Sequence, residues 1–220
     1  MNYTNPKYKP FLDKDKIKTI FEIGSRDGFD AIALSKEYPN SHIHSFECNP
    51  LTSDICRRNI QQSQQRQNIS FYNFALGKDA GKFPFYSYVK DADTPFALES
   101  SGSSSFFKRD DFLQSQKYIK DVDVIRVDNF CFEKNIKKID LLCMDVQGFE
   151  LNILQGCGDL LYNIDYIILE VTKPDAISVY NLSPTYQHVN DFMTANGFDK
   201  SLIIEENRCE DNILYARRKN

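Results

Sequence analysis

The stretch Thr19–Gly28, TIFEIGSRDG, decides the fold, because it has the pattern of a strand, a glycine turn and the start of a helix. Thr19–Ile23 is a short apolar run with β-branched residues, which is typical of a buried parallel strand. Gly24–Gly28 follows as a turn, and a helical pattern of apolar residues then runs to Pro39. Glycines let a ligand approach the backbone and a helix N-terminus offers free N–H groups. The stretch therefore predicts a site for an adenosine-containing ligand.

The glycine spacing and a carboxylate further along the chain narrow the kind of ligand. Gly24 and Gly28 form G-x-x-x-G, whereas a dinucleotide pyrophosphate is held by G-x-G-x-x-G. Such a turn alone is equally consistent with a tight connection that binds nothing. However, the next strand ends in Glu47, about 20 residues beyond Gly28, where an acidic side chain can accept hydrogen bonds from ribose hydroxyls. Buried carboxylates at strand ends are uncommon without a partner, so the two features together favour a ribosyl cofactor.

The composition indicates a soluble globular protein. At 220 residues the chain can form one sizeable core, and we predict a single domain over residues 1–220. The formal net charge of −4 argues against a surface that follows nucleic-acid phosphates. No run approaches about 18 apolar residues, so no membrane span is expected, and the first residues lack the apolar core of a signal peptide.

The cysteines indicate a reducing compartment. None of them forms a C-x-x-C pair, and their spacing resembles no zinc framework. A chain of this size does not need disulfides for stability, so we predict free thiols and a cytoplasmic location. The six are Cys48, Cys56, Cys131, Cys143, Cys157 and Cys209.

Strands and helices alternate along most of the chain. A polar N-terminal arm is predicted over 1–16, and core strands over 19–23, 42–47, 69–76, 138–146 and 165–171, with a short additional strand at 123–127. Helices are predicted after residues 28 and 50 and over 128–135, 150–161 and 185–196, and an antiparallel pair over 202–205 and 212–217. This alternation predicts an α/β fold with a mostly parallel sheet and a terminal antiparallel hairpin.

The alternation stops in the segment 78–121. It carries many aromatic residues, a possible added strand or hairpin over 83–89, and the polar run SSGSSS at 100–105. A long aromatic insertion of this kind is either a lid over a site or a satellite core beneath a loop, and we favour the lid. The serines are interpreted with equal weight as ligand contacts or as a flexible linker.

These motifs resemble the FkbM-type methyltransferases, a group of class I S-adenosylmethionine-dependent methyltransferases. The resemblance covers about 19–216 and rests on EIGSRDG at 22–28, FECNP at 46–50, FALG at 74–77, VDNF at 127–130, ILEV at 168–171 and GF at 197–198. Its most specific part is IDLLCMDVQGFELNILQG at 139–156. One residue departs from the family: Cys143 stands two positions before Asp145, where relatives usually have Lys.

The resemblance implies a Rossmann-like, seven-stranded sheet with one antiparallel strand, and methyl transfer from S-adenosyl-L-methionine to oxygen. The acceptor is expected to be a hydroxyl of a small molecule or glycan, with a sugar favoured. Ala75 and Leu76 are expected to border the adenine, and Asp27 either to reach the methionine ammonium or to cap the helix. The full set of expected cofactor-binding residues is Glu22, Gly24, Ser25, Arg26, Asp27, Gly28, Glu47, Cys48, Ala75, Leu76 and Asp145.

Methyl transfer to an alcohol would be helped by a positioned base, because a protonated hydroxyl is a poor nucleophile. Asp145, at the carboxyl end of the fourth core strand, is the first candidate, with a helix N-cap as the alternative role. Glu170, at the matching end of the fifth strand, is interpreted as a substrate contact, a second base or a buried structural partner. His188 on the late helix is a further candidate base, whereas Glu150 is expected to stabilise its helix N-terminus.

A metal-dependent reaction and two other classes of function are the alternatives to this hypothesis. Asp145 and Glu170 would suit Mg²⁺, but no third ligand is evident, so a metal is not favoured. His42 and His44 alternate onto one strand face, where a structural role is favoured. An NAD-dependent oxidoreductase is disfavoured by the missing G-x-G-x-x-G. A non-catalytic adenosyl-binding module in a glycan-building assembly has Cys143 as its one indication. The sequence leaves the oligomeric state open.

Overall fold

A computed structural model describes residues 2–88, 101–108, 116–176, 180 and 182–219, so 89–100 and 109–115 of the predicted insertion lie outside the described residues. The strands are β1 Thr19–Ile23, β2 His42–Phe46, β3 Ile69–Tyr72, β4 Ala75–Gly77, β5 Gly81–Tyr88, β6 Gln116–Arg126, β7 Ile139–Met144, β8 Ile164–Thr172, β9 Phe198–Glu205 and β10 Glu210–Arg217. The α-helices are α1 Phe29–Glu37, α2 Ser53–Gln62, α3 Val127–Glu133, α4 Glu150–Gly156 and α5 Tyr186–Ala195.

The main sheet has seven strands in the order β3-β2-β1-β7-β8-β10-β9. The pairs β1–β2, β2–β3, β1–β7 and β7–β8 are parallel. β10 is antiparallel to both of its neighbours, β8 and β9, so it alone runs against the other six strands of this sheet. This confirms the predicted α/β fold with a mostly parallel sheet and a terminal antiparallel hairpin.

Both faces of this sheet are covered, which explains the nearly continuous apolar strands. All six residues of β7 are buried. Successive side chains point to opposite faces: Phe21 packs in a cluster with residues of α3, α4 and α5, whereas its neighbour Ile20 packs in a second cluster with residues of α1 and α2. The helices on each side therefore shield one half of the side chains of every central strand.

The N-terminal arm is part of the second cluster. Tyr3, Tyr8 and Leu12 are buried against residues of α1 and α2, and a 3₁₀ turn at Pro6–Tyr8 connects them. The sequence does not predict this burial, because residues 1–16 are polar on average. The three apolar side chains are also spaced without the period of a strand or a helix. The arm thus closes one face of the core.

A second sheet of three strands, in the order β4-β6-β5, corrects two predicted boundaries. The third core strand was expected over 69–76, but β3 ends at Tyr72 and β4 pairs with β6 instead. β6, Gln116–Arg126, is also much longer than the predicted 123–127, because residues 116–124 pair with β5. A continuous apolar run cannot show which neighbour it pairs with, so only the tertiary structure reveals that the chain changes sheets here.

The helices are short, and one ends earlier than expected. Within the described residues, no helix combines the length and the apolar character that crossing a membrane requires. The helix predicted over 150–161 ends at Gly156 and continues as a 3₁₀ helix, Gly158–Asn163. A Cβ atom on Gly156 would overlap the carbonyl oxygen of Gly77, so glycine permits close packing of α4 on β4. Gly158, with φ of +50°, then leaves the right-handed helical conformation.

Candidate active site

A cavity of about 220 Å³ opens where β1, β2 and β7 end. β1 and β7 are adjacent in the sheet but their following helices pack on opposite faces, and ligands of open α/β sheets bind at such a point. The cavity is lined by most of the expected cofactor-binding residues: Gly24, Ser25, Arg26, Asp27, Glu47, Cys48, Ala75, Leu76 and Asp145. Glu22 and Gly28 are the two expected residues that do not line it.

Gly24 allows three strand ends to meet at the cavity. Its φ is +90°, and a Cβ atom here would overlap the carbonyl oxygen of Asp145. The backbone N–H groups of Gly24 and Ser25 both donate to the carbonyl of Phe46, at 3.0 and 3.1 Å, which links β1 to β2. The N–H of Asp145 donates to Ile23 at 3.1 Å and links β1 to β7. The turn therefore requires glycine for conformation and for space.

Glu47 is fixed at the cavity by the backbone around it. Its Oε2 accepts from the N–H of Arg26 at 2.5 Å, and its Oε1 accepts from the N–H of Asn49 at 2.6 Å. Burial raises the pKa of this carboxyl to about 7, although the two backbone hydrogen bonds oppose the shift. Each carboxylate oxygen can accept more than one hydrogen bond, so the anchored group retains capacity for ligand hydroxyls.

Glu22 lies behind the turn and supports it. Its Oε2 accepts from the hydroxyl of Ser25, whose Oγ is also 2.5 Å from Ser45 Oγ. The other oxygen, Oε1, is buried without a hydrogen-bond partner among the described residues. Burial, and secondarily the charge of Asp30, raise the pKa of Glu22 to about 8. Glu22 is therefore a neutral hydrogen-bonding group at neutral pH that holds Ser25 in place.

The raised pKa of Glu22 makes a prediction for stability. In the unfolded chain the carboxyl ionises near pH 4.5, but in the folded protein only near pH 8. Between these values the folded state binds the extra proton, so the free energy of unfolding should fall as pH rises, by up to about 1.4 kcal/mol per pH unit from this group. Glu22→Gln should remove this contribution.

Urea unfolding of wild type and Glu22→Gln between about pH 5 and about pH 9 measures the difference. Glu133→Gln, on the exposed surface of α3, is the matched control and should parallel the wild type. A pH dependence of Glu22→Gln identical to that of the wild type would contradict the assignment. Other buried carboxyls with raised pKa, such as Glu47 and Glu150, contribute the same slope to both proteins and cancel in the comparison.

The structure brings Asp145 and Glu170 together, but with a glutamine between them. Gln147 Nε2 donates to Asp145 Oδ1 at 2.7 Å and to Glu170 Oε2 at 3.1 Å. Asp145 and Gln147 line the cavity, whereas Glu170 lines a small neighbouring pocket together with Glu150 and Gln147. Burial, and then the charge of Asp145, raise the pKa of Glu170 well above its usual range. Gln147 was overlooked as a site residue, although it lies inside the most specific motif.

Helix capping was an expected or alternative role for Asp145, Glu150 and Asp27, and the structure shows a different arrangement for each. The N-cap of α4 is Phe149, without a side-chain hydrogen bond, so Asp145 does not cap this helix. Glu150 Oε1 instead accepts from the N–H groups of Val146 and Gly148, at 3.2 and 3.3 Å, and stabilises the loop before the helix. Asp27 lines the cavity, and its Oδ1 accepts from the N–H of Phe29, the first residue of α1, at 3.2 Å. Its contact with the methionine ammonium stays a prediction.

The histidines lie outside the cavity lining. His188 is exposed on α5, where its Nδ1 accepts from the N–H of Thr185 at 3.1 Å as part of a capping box. The expectation that it could reach a substrate as a base is therefore not supported by its position. His42 Nε2 lies 2.8 Å from Ser70 Oγ, and His44 Nδ1 lies 3.1 Å from Tyr72 Oη, which ties β2 to β3.

Residues 101–108, one described part of the insertion, contact the cavity directly. Gly102, Ser104 and Phe106 line it, and the Phe106 ring lies 4.4 Å from that of Phe149, centroid to centroid. Ser104 Oγ accepts from Asn49 Nδ2 at 3.1 Å. These contacts support a covering role for the segment, and in this structure the serine is bonded to the protein.

The charge of the cavity lining is unbalanced. It contains four acidic side chains, Asp27, Asp30, Glu47 and Asp145, and Arg26 is the one cation among its described residues. A lining of this kind favours a ligand that carries positive charge and disfavours a pyrophosphate. Among the described residues no group of three or more His, Cys, Asp or Glu side chains is placed to hold a metal ion. That a metal is dispensable stays a prediction.

Comparison with known proteins gives a family match over most of the chain. The model of the methyltransferase FkbM domain matches residues 22–200. A protein of Sinorhizobium fredii named 2-O-methyltransferase NoeI is 25% identical over 185 residues, which cover 79% of this chain and 74% of that protein. Methyltransferase 1 of Beauveria bassiana is 25% identical over 159 residues, 69% of this chain and 64% of that protein.

Solved structures share the fold at low sequence identity. The methyltransferase FkbM of Methylobacillus flagellatus KT has a TM-score of 0.61 at 12% identity. The match covers 98% of this chain but 46% of that protein, so this chain spans less than half of its length. TrmK of M. capricolum, solved with S-adenosyl-homocysteine, has a TM-score of 0.56 at 10% identity, covering 100% of this chain and 70% of that one. From the family match and this shared fold it follows that the chain belongs to the FkbM methyltransferase family.

Proposed function

We propose that the protein is an S-adenosylmethionine-dependent O-methyltransferase that acts on a hydroxyl of a small molecule or glycan, most favourably a sugar. The observation that carries the cofactor assignment is the acidic lining at the ends of β1, β2 and β7. S-adenosylmethionine carries a sulfonium and an ammonium group, and four carboxyl side chains facing one guanidinium suit such a cation.

The residues present fit the other parts of this cofactor. Glu47 would accept hydrogen bonds from the ribose hydroxyls, because its carboxylate is already oriented by two backbone N–H groups. Phe46, Leu76 and Phe85 are buried apolar side chains in the lining and would pack against the adenine. TrmK, which shares the fold, was solved with the product S-adenosyl-homocysteine, and this supports the same ligand class here.

The bound cofactor would supply an electrophilic methyl group on sulfur. The protein must align an acceptor oxygen with that group, and orientation alone can contribute roughly 7–11 kcal/mol. We propose Asp145 as the base that takes the hydroxyl proton, since its carboxylate lines the cavity and is held by Gln147. A positioned base contributes roughly 10²–10⁴-fold. Phe106 and Phe149 in the lining would help to exclude water.

The proposed acceptor rests on two observations. The relative NoeI is named a 2-O-methyltransferase, which supports transfer to oxygen. The part of the cavity formed with the insertion mixes aromatic rings, such as Phe85 and Phe106, with polar side chains, such as Ser104 and Asn49. Aromatic faces suit the C–H surfaces of a sugar, and hydroxyl and amide groups can bond its oxygens.

The two alternative functions, an NAD-dependent oxidoreductase and a non-catalytic adenosyl-binding module, are less well supported. An oxidoreductase would bring a pyrophosphate into an acidic cavity. A non-catalytic module was suggested only by Cys143, and this residue is fully buried in the cluster that faces α1 and α2. Cys143 is not among the described lining residues of the cavity.

Calorimetric titration of the purified protein with S-adenosylhomocysteine tests the proposal. NAD serves as the control ligand, and the titration is repeated with EDTA. We expect micromolar affinity for the thioether, no binding of NAD and no effect of EDTA. Binding of NAD, or of neither ligand, would overturn the cofactor assignment, and loss of binding with EDTA would show that a metal is required.

Glu47→Ala should weaken the binding of S-adenosylhomocysteine by about 1–3 kcal/mol, because the ribose hydroxyls lose their acceptor. The N–H groups of Arg26 and Asn49 also lose a partner, so the thermal midpoint must be measured alongside the affinity. Glu133→Ala on exposed α3 is the control and should bind like wild type. Unchanged affinity of a folded Glu47→Ala protein would remove Glu47 from the site.

A further inference from the structure

The side-chain amide of Gln147 is the centre of a partly buried hydrogen-bond chain. Its nitrogen donates to Asp145 Oδ1 at 2.7 Å and to Glu170 Oε2 at 3.1 Å. Its oxygen, Oε1, accepts from the hydroxyl of Tyr180 at 2.6 Å. Two carboxyl oxygens from different strands thus face one amide nitrogen, and the tyrosine hydroxyl on the other side fixes which way the amide points.

The backbone of Gln147 is held in a conformation that side chains rarely adopt. Its φ is +54°, and the next residue, Gly148, has a φ of +95°. Glycine would take up the left-handed conformation at no steric cost, so a long side chain at this position indicates that the side chain is needed. The conformation is secured by Ser105, whose buried hydroxyl donates to the carbonyl of Gln147 at 2.7 Å.

Tyr180 connects this hydrogen-bond chain to the insertion. Its ring is buried, and its hydroxyl lies 3.1 Å from the carbonyl oxygen of Ser103 and 2.6 Å from Gln147 Oε1. A phenolic hydroxyl has one proton, so the shorter contact to Gln147 is the main hydrogen bond. Tyr180, from the loop before α5, therefore links the amide of Gln147, in the loop after β7, to the backbone of the insertion.

We propose that Gln147, held by Tyr180, is a positioning residue that orients the carboxylate of Asp145 for proton transfer. The proposal rests on the proposed function, in which Asp145 is the base. A carboxylate that must accept a proton in line with the reacting oxygen needs a fixed orientation. Without the amide, Asp145 and Glu170 would both lose the donor that they share, and the hydrogen bond that orients Asp145 Oδ1 would be gone.

Four variants test the proposal by methyl transfer from S-adenosylmethionine to a panel of monosaccharides and glycosides. Gln147→Met keeps the length of the side chain but removes the amide, and Gln147→Asn keeps the amide in a residue that tolerates positive φ. Tyr180→Phe removes only the hydroxyl. Gln61→Met, on the exposed end of α2, is the matched control for the substitution itself.

We expect Gln147→Met to lower kcat about tenfold or more, with KM for S-adenosylmethionine and the affinity for S-adenosylhomocysteine near wild type. Gln147→Asn should recover part of kcat, and Tyr180→Phe should lower kcat less than Gln147→Met does. In the Gln147→Met background, Tyr180→Phe should have no further effect, because it acts through the amide. A kcat of Gln147→Met equal to wild type, or a matching loss of cofactor affinity, would overturn the positioning role.

A second measurement needs no turnover. In ¹⁵N-labelled protein without cofactor, the side-chain amide resonance of Gln147 is identified by its absence in Gln147→Met. We expect it to move in Asp145→Asn and in Tyr180→Phe and to stay in place in Gln61→Met. No movement in either of the first two variants would overturn the hydrogen-bond chain.

The two measurements also separate this proposal from the proposed function. Wild-type protein that binds no S-adenosylhomocysteine would overturn the function and the catalytic role of Gln147 together. Wild-type protein that binds and transfers methyl groups while Gln147→Met does so equally well would overturn only the role of Gln147. If Gln147→Met does not fold, Tyr180→Phe alone decides, since the amide then loses its hydrogen bond to the tyrosine hydroxyl and kcat must fall.

Discussion

Asp145→Asn is expected to reduce methyl transfer by roughly 10²-fold or more while leaving the affinity for S-adenosylhomocysteine near that of the wild type. The asparagine side chain has the same shape but cannot take up the proton of an acceptor hydroxyl. Its oxygen can still accept from Gln147 Nε2, so the hydrogen bond that orients the group is retained. The substitution therefore separates proton transfer from cofactor binding.

The experiment compares single-turnover rates and calorimetric affinities of wild type, Asp145→Asn and Asp159→Asn. Asp159 is exposed on the 3₁₀ helix that follows α4 and controls for the change of an aspartate. Full activity of Asp145→Asn would move the base elsewhere, and Glu170 would be examined next because it shares the amide of Gln147. Loss of cofactor affinity together with activity would instead assign Asp145 to cofactor binding.

Gly24→Ala is expected to abolish cofactor binding and to destabilise the protein by about 1–3 kcal/mol or more. The added Cβ would overlap the carbonyl oxygen of Asp145 and come within 3.3 Å of Val146 Cγ1. β1 and β7 cannot move apart here without breaking the hydrogen bond from the N–H of Asp145 to the carbonyl of Ile23. The φ of +90° adds conformational strain for any residue with a side chain.

Urea unfolding and calorimetric titration measure the two effects. Gly102→Ala is the comparison for stability, because among the described residues a Cβ there would meet the flexible side chain of Arg26, at 3.3 Å. We expect the unfolding free energy of Gly102→Ala to remain near wild type. If Gly24→Ala binds S-adenosylhomocysteine with unchanged affinity, the turn does not form part of the cofactor site.

Much of the site could be predicted because it lies at strand ends. Glu47, Asp145 and Glu170 each follow an apolar run, and the carboxyl ends of parallel strands meet at one edge of a sheet. Local pattern is sufficient for that inference, since strand direction and strand end are both local properties. Of these three predicted site residues, Glu47 and Asp145 line the cavity, and Glu170 is hydrogen-bonded to the lining residue Gln147.

Contacts between distant segments could not be predicted in the same way. His188 has the chemistry of a base, but the structure uses it to cap α5, outside the cavity lining. Gln147 carries no charge and was not predicted as a site residue. Its side chain nevertheless bonds to Asp145, to Glu170 and to Tyr180, and the last two lie 23 and 33 positions further along the chain. A single sequence without a period linking such residues contains no signal for their pairing.

By itself, the sequence determined the α/β class, the parallel core strands and the glycine turn at which we propose a ribosyl ligand. These follow from hydrophobic period and from glycine positions, which act over a few residues. Only the tertiary structure decided that the N-terminal arm enters the core, that β4 leaves the main sheet to pair with β6, and that Gln147 stands between two carboxyls. The reason is that side-chain burial and hydrogen bonding are satisfied by whichever groups the packed chain brings within reach, regardless of their separation in sequence.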